Sequence, residues 1–170
     1  ALTYTDSAII VNSFSKYFSM TGWRLGWTIL PEDVQPRIKR LAESLFVSPP
    51  ALSQHVALKA MDCTDILDSY VAHYRANLDL LQQALPEAGI TRFAKTKGAF
   101  YLYADISKIS NDSIGWCAAA LDEAKVAITP GLDFDLTRGH HMVRFSFAGA
   151  HEDIEKGCQR LIDWCNITPQ

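Results

Sequence analysis

The sequence predicts an α/β protein in which strand-forming and helix-forming segments occupy distinct regions. Three observations lead there. Two short apolar runs near the start, "SAIIVN" at 7–12 and "RLGWTIL" at 24–30, have the length and composition of strands. A long run from about 64 to 85 places Leu67, Tyr70, Val71, Tyr74, Leu78, Leu81 and Leu85 on one helical face. After residue 90 the units shorten, and "GAFYLYADI" and "MVRFSFA" alternate faces as strands do.

Taken in order, the first run suits a strand covered on both faces, as in a parallel sheet. The second strand leads into "PED", a helix-start signal. A helix beginning within 32–36 would carry Val34, Ile38, Leu41 and Leu45 as its apolar stripe. Pro36 is tolerated only in its first turn, and "SPP" at 48–50 breaks it. A further helix covers about 51–61, and "PEAG" at 86–89 ends the long one. Beyond the "GAFYLYADI" strand come a helix over 111–124, a short strand "KVAIT" and a loop "PGLDFDLTRGHH". The strand "MVRFSFA" and a closing helix over 150–165 complete the chain. Residues 1–31 read as the tail of a larger domain, 32–89 as bridging helices, and 90–170 as a small α/β domain. No methionine opens the chain, and a strand-like run follows at once. That start reads as a cut inside a larger protein.

The 170 residues are 48% hydrophobic and 21% charged, with a net charge of -3. These values suit a globular chain with a sizeable core. The basic residues form no stripe, which argues against a nucleic-acid partner. No apolar run approaches the ~20 residues of a membrane span, and the first residues lack the charged and apolar regions of a signal peptide. The four cysteines include no CxxC pair, so no metal site is expected. Cys63, Cys117, Cys158 and Cys165 read as reduced, partly buried thiols.

Chemistry concentrates between the first two strands, where Ser13, Ser15, Lys16, Ser19, Thr21 and Arg24 lie in one loop. Loops at strand ends of α/β sheets are where such folds place ligands. Arg24 offers a planar fork of donors suited to phosphate, and the serines offer hydroxyls. Gly22 and Gly26 suit tight backbone paths and close ligand approach. A lysine amine kept partly out of water is a nucleophile that forms a Schiff base with an aldehyde. The set fits an aldehyde cofactor bearing a phosphate, namely pyridoxal phosphate. The same two cations also fit a solvated surface loop, and residue chemistry alone leaves both readings open.

The contiguous stretch "SFSKYFSMTGWRLGW" closely resembles the lysine segment of fold-type I, class I/II aminotransferases, the aspartate aminotransferase-like family. The resemblance implies that Lys16 carries the cofactor as a Schiff base, that Arg24 and Ser13 bind its phosphate, and that Ser15 lies in the same cofactor-binding set. It continues through "SPPALSQHVALKA", "KGAFYLYADI" and "ITPGLDF…RFSFA". The last segment places the family's substrate-carboxylate arginine at Arg144. Strand alternation agrees with that choice: Val143, Phe145 and Phe147 share one face, while Met142, Arg144 and Ser146 share the other. A guanidinium can hold a carboxylate by two parallel hydrogen bonds.

Two departures stand out. The family often has proline where this chain has Thr96, and glycine where it has Asp135. Both bear on local loop geometry. His140 and His141 are expected to point apart in a loop, and Tyr101 and Tyr103 to share one face as packing residues, with approach of one of them to the substrate pocket as the alternative.

For the complete protein the resemblance implies the C-terminal part of the pyridoxal-phosphate-dependent transferase fold. It implies transfer of an amino group between an L-amino acid and a 2-oxo acid, in a cytoplasmic homodimer. Family members place their remaining cofactor contacts upstream of the lysine segment, so the chain as given is expected to be an incomplete, inactive fragment. Two alternatives share the segment: a C–S lyase or eliminase, and the aminotransferase-like sensor domain of a transcription regulator.

Overall fold

In the computed structural model, which describes residues 1–167, β1 (Ile10–Ser13) pairs antiparallel with β2 (Gly26–Ile29), in the register Ile10 to Ile29 and Ser13 to Gly26. The sequence expectation of a parallel pairing is corrected here. Loop 14–25 folds back through a 3₁₀ turn at Thr21–Trp23 and re-enters beside the strand it left. No helical crossover of the kind parallel pairing needs is built between them. Nor are the strands covered on both faces, since Val11 is 74% exposed. Gly26 is dictated by the pairing itself: a Cβ there would stand 2.5 Å from the Asn12 carbonyl oxygen. A Cβ at Gly22 would meet nothing, so no close approach within the chain requires that glycine.

The chain forms two units, Ala1–Val71 and the residues from Ala72 onward. In the first, α1 (Gln35–Phe46) starts with Pro36 in its first turn and α2 (Ala51–Ala60) follows; α3 (Thr64–Ala84) begins in the first unit and runs on into the second. Phe14, Met20 and Ala57 form a small buried cluster, with Phe18, Leu25, Trp27, Val56 and Ala60 packed against it. The predicted stripe of α1 differs from expectation. The helix buries no residue, and Ile38, Leu41 and Leu45 are exposed. The helical period is real, but no described element packs on that face.

The second unit is built on a four-stranded sheet in the order β3-β4-β6-β5. Its strands are β3 (Arg92–Phe93), β4 (Tyr101–Asp105), β5 (Thr129–Pro130) and β6 (Met142–Ser146), all paired antiparallel. Helices α4 (Ser113–Ala119) and α5 (His151–Ile167) complete it. Leu85, Ile90, Leu102, Ala104, Ile106 and Val143 are fully buried. Each large apolar side chain buried this way contributes about 1.5–3 kcal/mol. A polar anchor lies within this core. Asn77 on α3 is fully buried. Its amide donates to the Phe147 and Gly149 carbonyls, both at 3.0 Å.

Two boundaries shift from the sequence reading. The helix over 111–124 is α-helical only to Ala119, then takes a π turn over Ala120–Ala124. The strand expected at "KVAIT" begins only at Thr129. Lys125 caps the helix in a left-handed conformation, and the Val126 N–H donates back to the Ala120 carbonyl at 3.1 Å. The first residues of that run therefore close a helix. Among the described residues, no helix is long and apolar enough to cross a membrane.

Candidate functional site

The loop between β1 and β2 is held from inside by hydrophobic anchors and from within by hydrogen bonds. Phe14 and Met20 are buried, and the Met20 N–H donates to the Phe14 carbonyl at 3.2 Å. Between these anchors the backbone turns outward, so Lys16 is exposed. The Ser19 N–H donates to the Lys16 carbonyl at 3.0 Å, which fixes that turn. Ser13 Oγ accepts the Ser15 N–H at 3.0 Å, which leaves the Ser13 hydroxyl proton for an acceptor outside the loop. Thr21 Oγ1 donates to the Ser15 carbonyl at 2.8 Å.

Arg24 ends the 3₁₀ turn in the left-handed region, φ 50°, and Ser19 has φ 53°. Non-glycine residues in that region store of order 1–3 kcal/mol each, and such positions cluster at functional loops. Arg24 Nη1 donates to the Thr21 carbonyl at 3.0 Å, which uses one of its five N–H groups. Ser53 Oγ on α2 donates to the Trp23 carbonyl at 2.8 Å and moors the turn. Ser13, Ser15, Lys16 and Arg24 thus lie on one braced loop with an exposed amine, an exposed guanidinium and hydroxyls. That donor set fits an aldehyde bearing a phosphate.

Arg144 lies on β6 in the second unit, opposite Tyr103 of β4 and Thr129 of β5. Its guanidinium carbon sits 4.1 Å from the Tyr101 ring centre and 4.2 Å from the Phe134 ring centre. Both contacts are cation–π stacking. Nη2 donates to Thr129 Oγ1 at 3.4 Å, while the buried Nε has no hydrogen-bond partner. A guanidinium held by two rings and one long hydrogen bond keeps donors for an incoming anion. Val143, Phe145 and Phe147 face the core as strand alternation requires. Tyr101 is more than a packing residue: it carries one face of Arg144. Its signal was present in the sequence, because β4 alternation puts Tyr101 and Tyr103 on one face of the sheet. Phe134 and Thr129 had no comparable signal, since a loop and a register place them.

The loop carrying Phe134 is pinched at its base. A Cβ on Gly139 would stand 2.5 Å from the Gly131 carbonyl carbon, so this crossing excludes any side chain at Gly139. Ser113 Oγ, buried on α4, donates to the Gly139 carbonyl at 2.7 Å. At the second departure, Asp135 Oδ1 accepts the N–H groups of Thr137 at 2.9 Å and Arg138 at 3.0 Å. Arg138 Nε donates to Asp135 Oδ2 at 2.9 Å. These bonds, from the Arg138 backbone first, hold the carboxyl below its usual pKa. At the first departure, Thr96 Oγ1 donates to the Tyr101 carbonyl at 3.2 Å. His140 and His141 do not point apart: they close a 3₁₀ turn, and His141 Nδ1 and His140 Nε2 are 3.1 Å apart. The expected divergence assumed strand geometry, and the turn removes it. Among the described residues, no group of three or more histidine, cysteine or acidic side chains could hold a metal.

The family described as "Aminotransferase class I and II" matches residues 2–161. This chain belongs to the class I and II aminotransferases. The valine–pyruvate aminotransferase of Mycobacterium tuberculosis is 44% identical over 160 residues, 93% of this chain and 41% of that protein. An aspartate aminotransferase of Sulfurisphaera tokodaii is 31% identical, over 96% of this chain and 42% of its own length. In three dimensions, an aminotransferase crystal structure from Mycobacterium tuberculosis has a TM-score of 0.95 and 42% identity, covering 98% of this chain and 44% of its own. The aminotransferase chain therefore spans about two fifths of the length of the curated relatives it matches. Its mixed α/β architecture is part of the fold-type I transferase fold.

Proposed function

We propose that the full-length protein carrying this chain is a pyridoxal-phosphate-dependent aminotransferase that moves an amino group between an L-amino acid and a 2-oxo acid. The observation that carries this reading is the braced loop on which exposed Lys16 stands with Ser13, Ser15 and Arg24. When bound, pyridoxal phosphate supplies an aldehyde for amine attachment and a ring that takes up electrons. Lys16 provides the attachment amine and, once released, moves the proton at the substrate Cα as base and then acid. Arg24 and the Ser13 hydroxyl hold the phosphate, with Ser15 beside them. Arg144 holds the substrate carboxylate by paired hydrogen bonds, and the Tyr101 and Phe134 rings keep water from the faces of its guanidinium.

The relative called a valine–pyruvate aminotransferase makes valine and pyruvate the first pair to assay. The working enzyme is a cytoplasmic homodimer, and the 170-residue chain alone lacks the upstream cofactor contacts and is inactive. The test adds pyridoxal phosphate to the full-length protein and to its Lys16→Ala variant, and records the visible band of lysine-bound cofactor. The band is expected in the former and not in the latter; an equal band in both overturns the reading. Robust transamination by the 170-residue chain alone overturns its proposed incompleteness.

A further inference from the structure

Phe134 covers one face of Arg144 although little burial holds it there, because 52% of the residue is exposed. An exposed ring of this kind gains too little from the hydrophobic effect to stay in one place. Its position must come from the backbone that carries it. On the incoming side, the Phe134 and Asp135 N–H groups donate to the Gly131 carbonyl, at 2.9 and 3.0 Å. On the outgoing side, the Gly139 N–H donates to the Asp135 carbonyl at 2.7 Å. Between these ties the turn is closed by the Asp135 carboxylate, which binds the Thr137 and Arg138 N–H groups through Oδ1 and the Arg138 guanidinium through Oδ2. The base has no slack, because the Gly131–Gly139 crossing leaves no room for a Cβ.

We propose that Asp135 is a positioning residue for the substrate-carboxylate site: it closes the turn that keeps Phe134 against Arg144, and so fixes the plane in which the guanidinium receives a carboxylate. This deepens the aminotransferase reading and rests on it. Arg144 has few other restraints. Its Nε has no partner, and its bond to Thr129 is long at 3.4 Å. The two rings therefore set its orientation, and Tyr101, on a strand paired within the sheet, is the fixed one. Phe134 is the adjustable one, and Asp135 sets it. Opening the turn releases Phe134, lets the guanidinium rotate, and weakens carboxylate capture. The proton step at Lys16 is not touched, so the loss falls on KM rather than kcat.

The test uses the full-length cofactor-loaded enzyme and isovalerate, a carboxylate with no amine, titrated by calorimetry, with steady-state kinetics on valine alongside. Asp135→Ala is expected to raise the isovalerate Kd and the valine KM by roughly 3- to 10-fold, the range that loss of a cation–π contact brings. Asp135→Asn keeps an oxygen acceptor for the turn N–H groups and is expected to stay within about twofold of wild type. An Asp135→Ala enzyme with wild-type Kd overturns the proposal. So does a variant that shows fewer binding sites and a lower Tm at unchanged Kd, because that is loss of folded protein alone. Arg144→Lys separates this proposal from the reading beneath it. Unchanged isovalerate affinity in Arg144→Lys overturns both, whereas weakened affinity there with unchanged affinity in Asp135→Ala overturns the Asp135 proposal only.

Discussion

Asn77 and His151 are joined through 2.7 Å between Asn77 Oδ1 and His151 Nδ1. Asn77 is fully buried, and its amide protons serve the Phe147 and Gly149 carbonyls, so Oδ1 is the acceptor and His151 donates. His73 Nε2 reaches the same Gly149 carbonyl at 3.0 Å. One amide thus ties α3 to the end of β6 and to the first turn of α5.

Removing it leaves the buried Phe147 carbonyl and the half-buried Gly149 carbonyl with fewer donors, and His151 without its present acceptor. Asn77→Ala is expected to cost about 2–4 kcal/mol of stability, since each buried group left unsatisfied costs about 1–3 kcal/mol. Urea unfolding of the 170-residue chain measures it. A loss below about 1 kcal/mol would show that water replaces the amide.

Gly26→Val tests the pairing of β1 with β2. The added Cβ meets the Asn12 carbonyl at 2.5 Å, and backbone cannot yield as a side-chain tip can. The expected cost is about 1–3 kcal/mol, and the loop that carries Lys16 should loosen with it. Faster amide hydrogen exchange at Phe14 and Met20 is the signature. Gly22→Ala, where no atom stands near, is the control and should leave exchange unchanged.

Acid should weaken the Asp135 turn, because a protonated carboxyl still accepts but no longer carries the charge that strengthens these bonds. The folded carboxyl is held below its usual value by the Arg138 backbone N–H, then the Arg138 side chain and the Thr137 N–H. A depressed folded pKa means the charged carboxyl's contribution to the turn is fully present above the ordinary aspartate value of about 3.9 and is lost as pH falls through the lower folded value. The Thr137 and Arg138 amide resonances should therefore hold steady at pH 4 and move only under stronger acid. Movement centred between pH 4 and 5 would contradict the hydrogen bonding described.

Thiol reactivity should separate the cysteines by burial. Burial, with Asp133 nearby, pushes the Cys117 thiol up to about 12, and burial pushes Cys165 up to about 11 and raises Cys158. Cys63 is exposed. Because the thiolate is the reactive form, a disulfide reagent at pH 8 should modify Cys63 rapidly in the native chain and the other three only on unfolding. Rapid modification of Cys158 would show that α5 detaches.

Much of the fold is legible in the sequence, and the reason differs by residue. The lysine loop was legible because its chemistry is local: Ser13, Lys16 and Arg24 are close in sequence, and a contiguous motif holds them. Arg144 was singled out by the family resemblance; what strand alternation made legible was its face, a period of two that the burial of Val143 and Phe145 bears out. The stacking of Phe134 on Arg144 was not legible, because it depends on a glycine crossing that joins distant ends of a loop. The antiparallel pairing of β1 and β2 was missed because apolar content indicates burial and says nothing of direction. Asn77 gave no signal either: a single polar residue on an amphipathic helix looks the same whether it faces water or is buried against hydrogen-bond partners.

The uncovered stripe of α1 has a practical consequence. Ile38, Leu41, Leu45 and, just past the helix, Val47 all present apolar surface to solvent. Sulfate and phosphate salts strengthen the drive to hide such surface, and contiguous apolar patches are the usual seeds of self-association. Solutions of the isolated chain should therefore tolerate chloride better than sulfate, and turbidity should rise first under the conditions most often chosen to stabilise a protein.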